Sequence, residues 1–289
     1  MFYGGAAALV VTLMGRTSPL IPNSVFDMTG RVVVITGGGG RLARAFAEVL
    51  GAAGAKLALA DLKADLAEET AKLLKESRVD VTVMQCDTSN ESEVQQLFDH
   101  VYNRFGRIDS LVHNVMSKPE GYYKPFADYS AETWNRVLVG NLTGAFLTCR
   151  EASRRMTGGG SMVLTGSIYG VVGPDQRIYE GQSTPNPYGE ADPLSTPASY
   201  STSKAGLLGL VRHLATLWGS RGVRVNMLTP GGIEDGQDEA FLKAYSARTP
   251  LGRMASWADY QGAILMLCSD ASRYMTGANL VVDGGWTAW

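Results

Sequence analysis

Residues 31–50 read RVVVITGGGGRLARAFAEVL, and this stretch decides the fold. Its first six residues are mostly β-branched and apolar, which predicts a buried strand over 31–36. Four glycines follow at 37–40, and an amphipathic helix is predicted over 41–53. Glycines between a strand and a helix let the backbone approach a pyrophosphate, and the helix N-terminus adds N–H donors and a positive dipole. The stretch therefore predicts a dinucleotide-binding turn.

Strands of the same buried kind recur along the chain and alternate with helical patterns. Further strands are predicted at 56–61, 79–87, 108–114, 161–166, 223–229 and 278–284. Helices are predicted between them at 63–77, 91–105, 131–155, 199–220 and 257–268. Strands that are apolar on both faces and joined by helices form a parallel sheet covered on both sides. We therefore expect an α/β fold, a Rossmann-type, doubly wound, seven-stranded parallel sheet in a single domain.

Composition excludes several classes of partner. The net charge of −2 over 289 residues gives no electrostatic basis for binding nucleic acid or an anionic membrane. The three cysteines lie in apolar runs, which predicts buried free thiols and a cytoplasmic protein. Histidines and cysteines show no metal-binding spacing, so no metal site is expected. The apolar segment 4–15 is shorter than the about 20 residues that span a bilayer, and 1–27 is interpreted as an N-terminal extension of a domain over 28–289.

Asp61 ends the second predicted strand and bears on the choice of cofactor. A carboxylate at this position accepts hydrogen bonds from the adenosine ribose diol and repels a 2′-phosphate, so NAD is favoured over NADP. Arg41 keeps NADP open, because a guanidinium near the turn could partner the additional phosphate. Asp61 could also cap the next helix. Asp87 is placed to meet the adenine ring, and a capping role is equally compatible with its position.

The sequence Tyr200-Ser-Thr-Ser-Lys204 places a tyrosine and a lysine on one helix face. A free phenol has a pKa near ~10, and a neighbouring ammonium favours the phenolate and lowers that pKa toward the working range of a general acid or base. The same spacing is also typical of a solvated helix face. Other motifs in the chain therefore have to decide between the two interpretations.

Taken together, the motifs resemble those of the short-chain dehydrogenase/reductase family over residues 28–289. The resemblance lies in TGGGGRLA (36–43), Asp61, HNVM (113–116), Asn141, Ser167, YSTSK (200–204), TPGGI (229–233) and YMTGANLVVDGG (274–285). Two features depart from the usual pattern. Arg41 and Ala43 stand at the last two glycine positions of the turn, and HNVM replaces Asn-Asn-Ala-Gly. The spacing Gly37, Gly40, Ala43 is similar to the turn of the family's sugar-nucleotide branch.

The resemblance implies roles for individual residues. It implies that Tyr200 is the general acid/base, that Lys204 lowers its pKa and holds the nicotinamide ribose, and that Ser167 binds the substrate oxygen. It implies that Asn141 anchors a water linked to Lys204. The implied cofactor contacts are Thr36, Gly37, Gly39, Gly40, Arg41, Leu42, Asp61, Asp87, Asn114, Tyr200, Lys204, Pro230, Gly231 and Ile233. It also implies a homotetramer assembled through the helices over 131–155 and 199–220.

Two segments are predicted to be substrate loops, 168–198 and 230–254. The first is longer than its counterpart in the family and carries many polar and aromatic side chains, which suits a hydroxyl-rich ligand. The predicted substrate contacts are Ser167, Tyr169, Arg177, Tyr179 and Tyr200. Packing of this loop against a neighbouring subunit is the alternative. Trp286 and Trp289 are expected at a subunit interface, because large exposed aromatic residues at a chain end are otherwise hard to explain.

The sequence thus predicts an NAD-dependent oxidoreductase (EC 1.1.1.-) that transfers a hydride between nicotinamide and a secondary alcohol or ketone of a sugar or polyol. Short segments also resemble a bacterial subgroup of oxidoreductases that act in flagellin or surface-sugar modification. One alternative is a sugar-nucleotide epimerase or dehydratase with tightly bound NAD. Another is a non-catalytic dinucleotide-binding protein on the same fold.

Overall fold

The computed structural model describes residues 25–181, 186 and 194–289. Seven strands form one sheet in the order β3-β2-β1-β4-β5-β6-β7, and every neighbouring pair is parallel. The strands are β1 Val32–Thr36, β2 Lys56–Asp61, β3 Val81–Gln85, β4 Ser110–His113, β5 Gly160–Thr165, β6 Val223–Pro230 and β7 Asn279–Val282. The predicted fold class and all seven predicted strands are confirmed.

Eight α-helices surround this sheet in the described part of the chain. They are α1 Arg41–Ala52, α2 Ala64–Glu76, α3 Glu91–Phe105, α4 Ala131–Leu138, α5 Gly144–Arg155, α6 Ala198–Trp218, α7 Glu239–Ser246 and α8 Gln261–Cys268. Residues of α3, α5 and α6 pack on one face of the sheet, and residues of α1, α2 and α8 pack on the other. Burial on both faces explains why the strands carry almost continuous apolar runs.

Two helical segments differ from the prediction. The helix expected over 131–155 is divided by a π-helical turn, Val139–Thr143, between α4 and α5. The apolar pattern continues through this turn, so periodicity alone does not reveal the change in hydrogen bonding. Helix α7 lies inside the segment 230–254, which was predicted as a loop. The Asp238 side chain accepts a hydrogen bond from the Phe241 N–H at its start, a capping signal that was present in the sequence.

A third group of buried apolar side chains lies apart from the two faces of the sheet, and we call it the lid cluster. Its members are Ile168, Ile178, Phe241, Tyr245, Met254 and Trp286. It joins the segment after β5, helix α7 and the C-terminal tail into one packed unit. Trp286 is only 7% exposed, so its expected place at a subunit interface was wrong, because the chain itself covers the ring. Trp289 is 81% exposed, and its interface role stays a prediction.

The described residues also bear on the predicted chain organisation. Met28 is fully buried at the predicted start of the domain. Most of the predicted extension, residues 1–24, and residues 182–185 and 187–193 of the predicted substrate loop 168–198 lie outside the described residues. Cys86, Cys149 and Cys268 are buried free thiols, as predicted. Among the described helices, none has the length and apolar character needed to cross a membrane.

Candidate active site

The turn between β1 and α1 is built from glycines that have no room for side chains. Gly37 has a φ of 69°, and a Cβ there would lie 2.6 Å from the Asn114 carbonyl oxygen. A Cβ on Gly39 would lie 2.5 Å from the Leu66 Cβ. The Gly39 N–H donates to Asp61 Oδ2 at 2.9 Å, and the Lys63 N–H donates to Asp61 Oδ1 at 3.0 Å. Asp61 therefore fixes the glycine turn and the entry to α2 together.

A cavity of about 1240 Å³ runs along the carboxyl ends of the strands. Its wall contains every predicted cofactor residue except Thr36: Gly37, Gly39, Gly40, Arg41, Leu42, Asp61, Asp87, Asn114, Tyr200, Lys204, Pro230, Gly231 and Ile233. Thr36 is buried, and its hydroxyl lies 3.0 Å from Nδ1 of His113. Asp87 also accepts hydrogen bonds from the N–H and the hydroxyl of Ser89, so the capping role considered for it is present.

Three of the four predicted catalytic side chains line the same cavity. Ser167 follows β5, whereas Tyr200 and Lys204 lie on the first turns of α6. The Lys204 Nζ lies 5.9 Å from the centre of the Tyr200 ring and donates to the Thr165 carbonyl oxygen at 2.8 Å. The Ser167 hydroxyl is hydrogen-bonded to the Tyr200 side chain. The arrangement brings a proton-exchanging phenol, a hydroxyl and an ammonium to one wall of the cavity.

The pKa values of Tyr200 and Lys204 are governed mainly by burial. Burial raises the pKa of Tyr200, and its hydrogen bond with Ser167 offsets part of that rise. Burial lowers the pKa of Lys204 to about 8. In this structure the net direction for Tyr200 is therefore upward, opposite to the lowering that the sequence predicts from Lys204. The pKa rises because the phenol is removed from water, whereas the Lys204 ammonium donates to the Thr165 carbonyl oxygen and does not lower it.

Asn141 lies in the π-helical turn and does not form part of the cavity wall. It is fully buried, and its Oδ1 accepts the Ser117 N–H at 2.7 Å. Its Nδ2 donates to Ser203 Oγ at 3.0 Å, and Ser203 Oγ donates to the Tyr200 carbonyl oxygen at 2.8 Å. Asn141 thus connects the segment after β4 to the helix that carries Tyr200 and Lys204. Its predicted role in anchoring a water stays a prediction.

His113 is the first residue of the motif HNVM, and the structure places it behind the cavity and not in its wall. Its Nδ1 lies 3.0 Å from Thr36 Oγ1 and 3.1 Å from Thr148 Oγ1. Burial, together with the charge of Lys204, lowers the pKa of His113 to about 3, so the imidazole is neutral at physiological pH. The side chain joins β1, β4 and α5 beneath the cavity. Asn114, the next residue, is the one that reaches the cavity wall.

The predicted substrate residues divide into two groups. Ser167 and Tyr200 line the cavity, whereas Tyr169, Arg177 and Tyr179 do not. The Tyr169 ring packs 6.4 Å from Trp286, and the Tyr179 hydroxyl lies 2.7 Å from Thr196 Oγ1. The Arg177 guanidinium is exposed and paired with Asp175. Tyr169 and Tyr179 border the lid cluster. Contact of Tyr169, Arg177 and Tyr179 with substrate stays a prediction.

The sequence analysis did not single out the residues that line one wall of the cavity. Residues after β4 and along α4 line it, namely Ser117, Lys118, Pro119, Glu132, Asn135 and Arg136. Ser117, Lys118 and Pro119 could have been found from their position just beyond the carboxyl end of a central parallel strand, because ligands bind there in open α/β sheets. The residues of α4 carry no such local signal. They reach the cavity only because the long connection after β4 returns toward it.

Comparisons with known proteins point to one family of enzymes. The family model described as enoyl-(acyl carrier protein) reductase matches residues 40–182 and 188–287. The chain is 32% identical over 269 residues to D-threitol dehydrogenase of Mycolicibacterium smegmatis, covering 91% of this chain and 95% of that protein. It is 31% identical over 294 residues to the ribulose-forming D-arabinitol 2-dehydrogenase of Scheffersomyces stipitis, covering 93% and 98%.

A solved structure of similar length shows the same fold. The NADPH-dependent 3-quinuclidinone reductase of Rhodotorula rubra superposes with a TM-score of 0.78 at 31% identity, covering 96% of this chain and all of that chain. The chain belongs to the short-chain dehydrogenase/reductase family. It is a dehydrogenase or reductase of the kind that uses NAD(P).

The residues present fit such a dinucleotide. The turn excludes side chains at Gly37 and Gly39, which lets a pyrophosphate approach the backbone beside the N-terminus of α1. Asp61 lines the cavity beside the glycine turn, and Lys204 lines it together with Tyr200. Their predicted contacts with the two riboses of the dinucleotide stay predictions. When bound, the nicotinamide supplies the carbon that accepts or donates a hydride.

Proposed function

We propose that the protein is a dehydrogenase that interconverts a secondary alcohol and a ketone in a polyol or sugar, with NAD preferred over NADP. The observation that carries the proposal is the convergence of Ser167, Tyr200 and Lys204 on a cavity whose other end holds the glycine turn and Asp61. Proton exchange and dinucleotide binding would therefore occur in one continuous site.

Each side chain has a distinct role in the proposal. The Tyr200 hydroxyl exchanges a proton with the substrate oxygen, and the hydroxyl of Ser167 donates to that oxygen as negative charge develops on it. The Lys204 ammonium stabilises the phenolate form of Tyr200 at the moment of proton transfer. Asn141 keeps α6 in place through Ser203, so that the three reacting side chains retain their relative positions.

The substrate class is inferred from relatives and from the cavity wall. The two dehydrogenases described above carry the names of threitol and arabinitol, which are both polyols. The side chains of Ser117, Glu132 and Asn135 provide donors and acceptors for hydroxyl groups along the wall after β4. A hydroxyl-rich substrate is therefore favoured over an apolar one.

The preference for NAD rests on Asp61. Each Asp61 oxygen accepts one backbone N–H, and a carboxylate oxygen retains further acceptor capacity for a ribose diol. The same carboxylate would repel a 2′-phosphate. Lys63 and Arg41 also line this end of the cavity, and the quinuclidinone reductase depends on NADPH. The cofactor preference therefore has to be measured with both dinucleotides.

The remaining predictions form part of the same proposal. A single catalytic domain covers 28–289, with 1–27 as an extension and 168–198 and 230–254 as substrate loops. Assembly into a homotetramer would use the helical segments 131–155 and 199–220, and the enzyme would act in the cytoplasm. Action on flagellin or surface sugars is a narrower possibility within the same substrate class. The epimerase or dehydratase alternative is not favoured, because the named relatives are dehydrogenases.

Absorbance at the NADH band tests the proposal. Purified protein is mixed with NAD or NADP and with a panel of polyols, sugars, sugar phosphates and simple alcohols. We expect stoichiometric reduction of NAD with at least one polyol and weaker activity with NADP. Binding of NADH without turnover of any hydroxyl-rich compound would contradict the proposed substrate class, and a clear preference for NADP would contradict the role of Asp61.

A further inference from the structure

An ion pair joins a residue of the cavity wall to the segment after β6. It joins Nη1 of Arg41, the first residue of α1, to Oδ1 of Asp235 in the segment after β6. The Arg41 side chain is 68% exposed and the Asp235 side chain 32% exposed. An isolated pair with this exposure contributes little to stability, so its position is more informative than its strength.

Arg41 is placed where a pyrophosphate would bind. It begins the helix that follows the glycine turn, and it lines the cavity together with Gly37 and Gly39. Phosphate groups bind at such helix N-termini because the backbone N–H groups and the helix dipole favour negative charge. A guanidinium at this point adds a mobile positive charge and a planar set of donors that suits phosphate oxygens.

Asp235 is held near the same point by its own segment. Ile233 lies in the cavity wall and pairs with Ala255. The Gln237 side chain donates to the Ile233 carbonyl oxygen at 2.8 Å and accepts the Asp235 N–H at 2.7 Å. These hydrogen bonds fix the backbone at Asp235 next to a residue of the cavity wall, independently of the pairing of its carboxylate with Arg41.

A carboxylate in this position opposes the binding of an anionic ligand. The two phosphates of a dinucleotide and the Asp235 carboxylate would compete for one guanidinium, and the carboxylate would also repel the phosphates directly. We propose that Asp235 is an affinity-setting residue of the cofactor site, because it competes with the pyrophosphate of the dinucleotide for Arg41. The inference rests on the proposed function only for the identity of the ligand, a dinucleotide.

This competition predicts opposite effects for the two members of the pair. Removal of the Arg41 charge leaves Asp235 unpaired beside the bound phosphates, so binding should weaken. Removal of the Asp235 charge frees Arg41 for the phosphates, so binding should become tighter and release of the dinucleotide slower. An ion pair that served only to hold the segment after β6 in place would give the same sign for both changes.

The test is the dissociation constant of NADH, measured by fluorescence titration at low and moderate salt, for Arg41→Gln, Asp235→Asn and the double variant. We expect Arg41→Gln to weaken NADH binding about tenfold and Asp235→Asn to tighten it about threefold, with the double variant between them. Both effects should shrink as salt screens the exposed charges. Arg44→Gln is the matched control, since Arg44 pairs with Glu48 on the same helix, and it should leave the constant unchanged.

Each outcome of the NADH titrations either supports or overturns the inference about Asp235. Weaker binding in both single variants, or no change in either, would overturn it, and melting temperatures show whether either variant is misfolded. Failure of the wild-type protein to bind NADH would overturn both the inference and the proposed function. Opposite shifts in the dissociation constant without turnover of any polyol would support the inference and contradict only the proposed substrate class.

Discussion

His113 shows how one side chain in the core makes stability depend on pH. The imidazole is buried and neutral, with a pKa lowered to about 3 from an ordinary value of 6.5. Between these two values the unfolded chain binds a proton that the native state does not bind. The free energy of unfolding therefore falls as the pH decreases from 6.5 toward 3.

Replacement of His113 by Asn should remove this contribution. For the wild-type protein, His113 alone lowers the free energy of unfolding by up to about 1.4 kcal/mol for each pH unit within this window. We expect the His113→Asn variant to show a smaller slope in urea unfolding measured from about pH 6.5 down to about pH 4. His100→Asn is the control, because His100 is exposed on α3. Equal slopes in the wild type and the His113 variant would contradict this account.

At the scale of elements, the β1–α1 turn is the most constrained part of the cofactor site. We expect Gly39→Ala to weaken NADH binding and to destabilise the protein by about 1–3 kcal/mol, because its Cβ would meet the Leu66 Cβ at 2.5 Å. Titration with NADH and urea unfolding measure the two effects. The control is Gly262→Ala on α8, where a Cβ meets nothing within 4 Å. A Gly39 variant as stable and as tightly binding as this control would show that the turn tolerates a side chain.

The elements also show what the sequence could predict. All seven strands follow from buried apolar runs, and the glycine turn follows from its position between a strand and a helix. The π-helical turn around Asn141 does not follow, since the apolar period hardly changes across it. Nor does the upward pKa of Tyr200, because the degree of burial depends on elements far away in the chain. Trp286 was misplaced for the same reason, since its burial depends on α7.

At the scale of the whole molecule, the lid cluster ties distant segments to the catalytic wall. Tyr245 stacks on Trp286 with ring centres 4.3 Å apart, and the Tyr245 hydroxyl accepts the Gly232 N–H. Arg248, just after α7, pairs with Asp175 of the segment after β5. Ile168 of the same cluster directly follows Ser167. The position of Ser167 is thus coupled through packing to α7 and to the C-terminal tail.

Loss of Trp286 should therefore affect the substrate side of the site more than the cofactor side. We expect Trp286→Ala to destabilise the protein by about 3–5 kcal/mol. We also expect it to raise KM for the substrate, whereas the dissociation constant of NADH should change little. Steady-state kinetics and NADH titration check the two parts. Trp289→Ala, which removes an exposed ring, should have a smaller effect on both. Equal losses in substrate and cofactor binding would contradict the coupling described above.

The central claim is that Tyr200 performs proton transfer at a site where a dinucleotide also binds. The most direct test replaces Tyr200 by Phe, which removes only the hydroxyl, and measures kcat and the dissociation constant of NADH in the same preparation. Tyr102→Phe, a change on the exposed face of α3, is the matched control. We predict that Tyr200→Phe lowers kcat about 10²–10⁴-fold while NADH binds as in the wild type. Unchanged turnover in the Tyr200 variant would contradict the account.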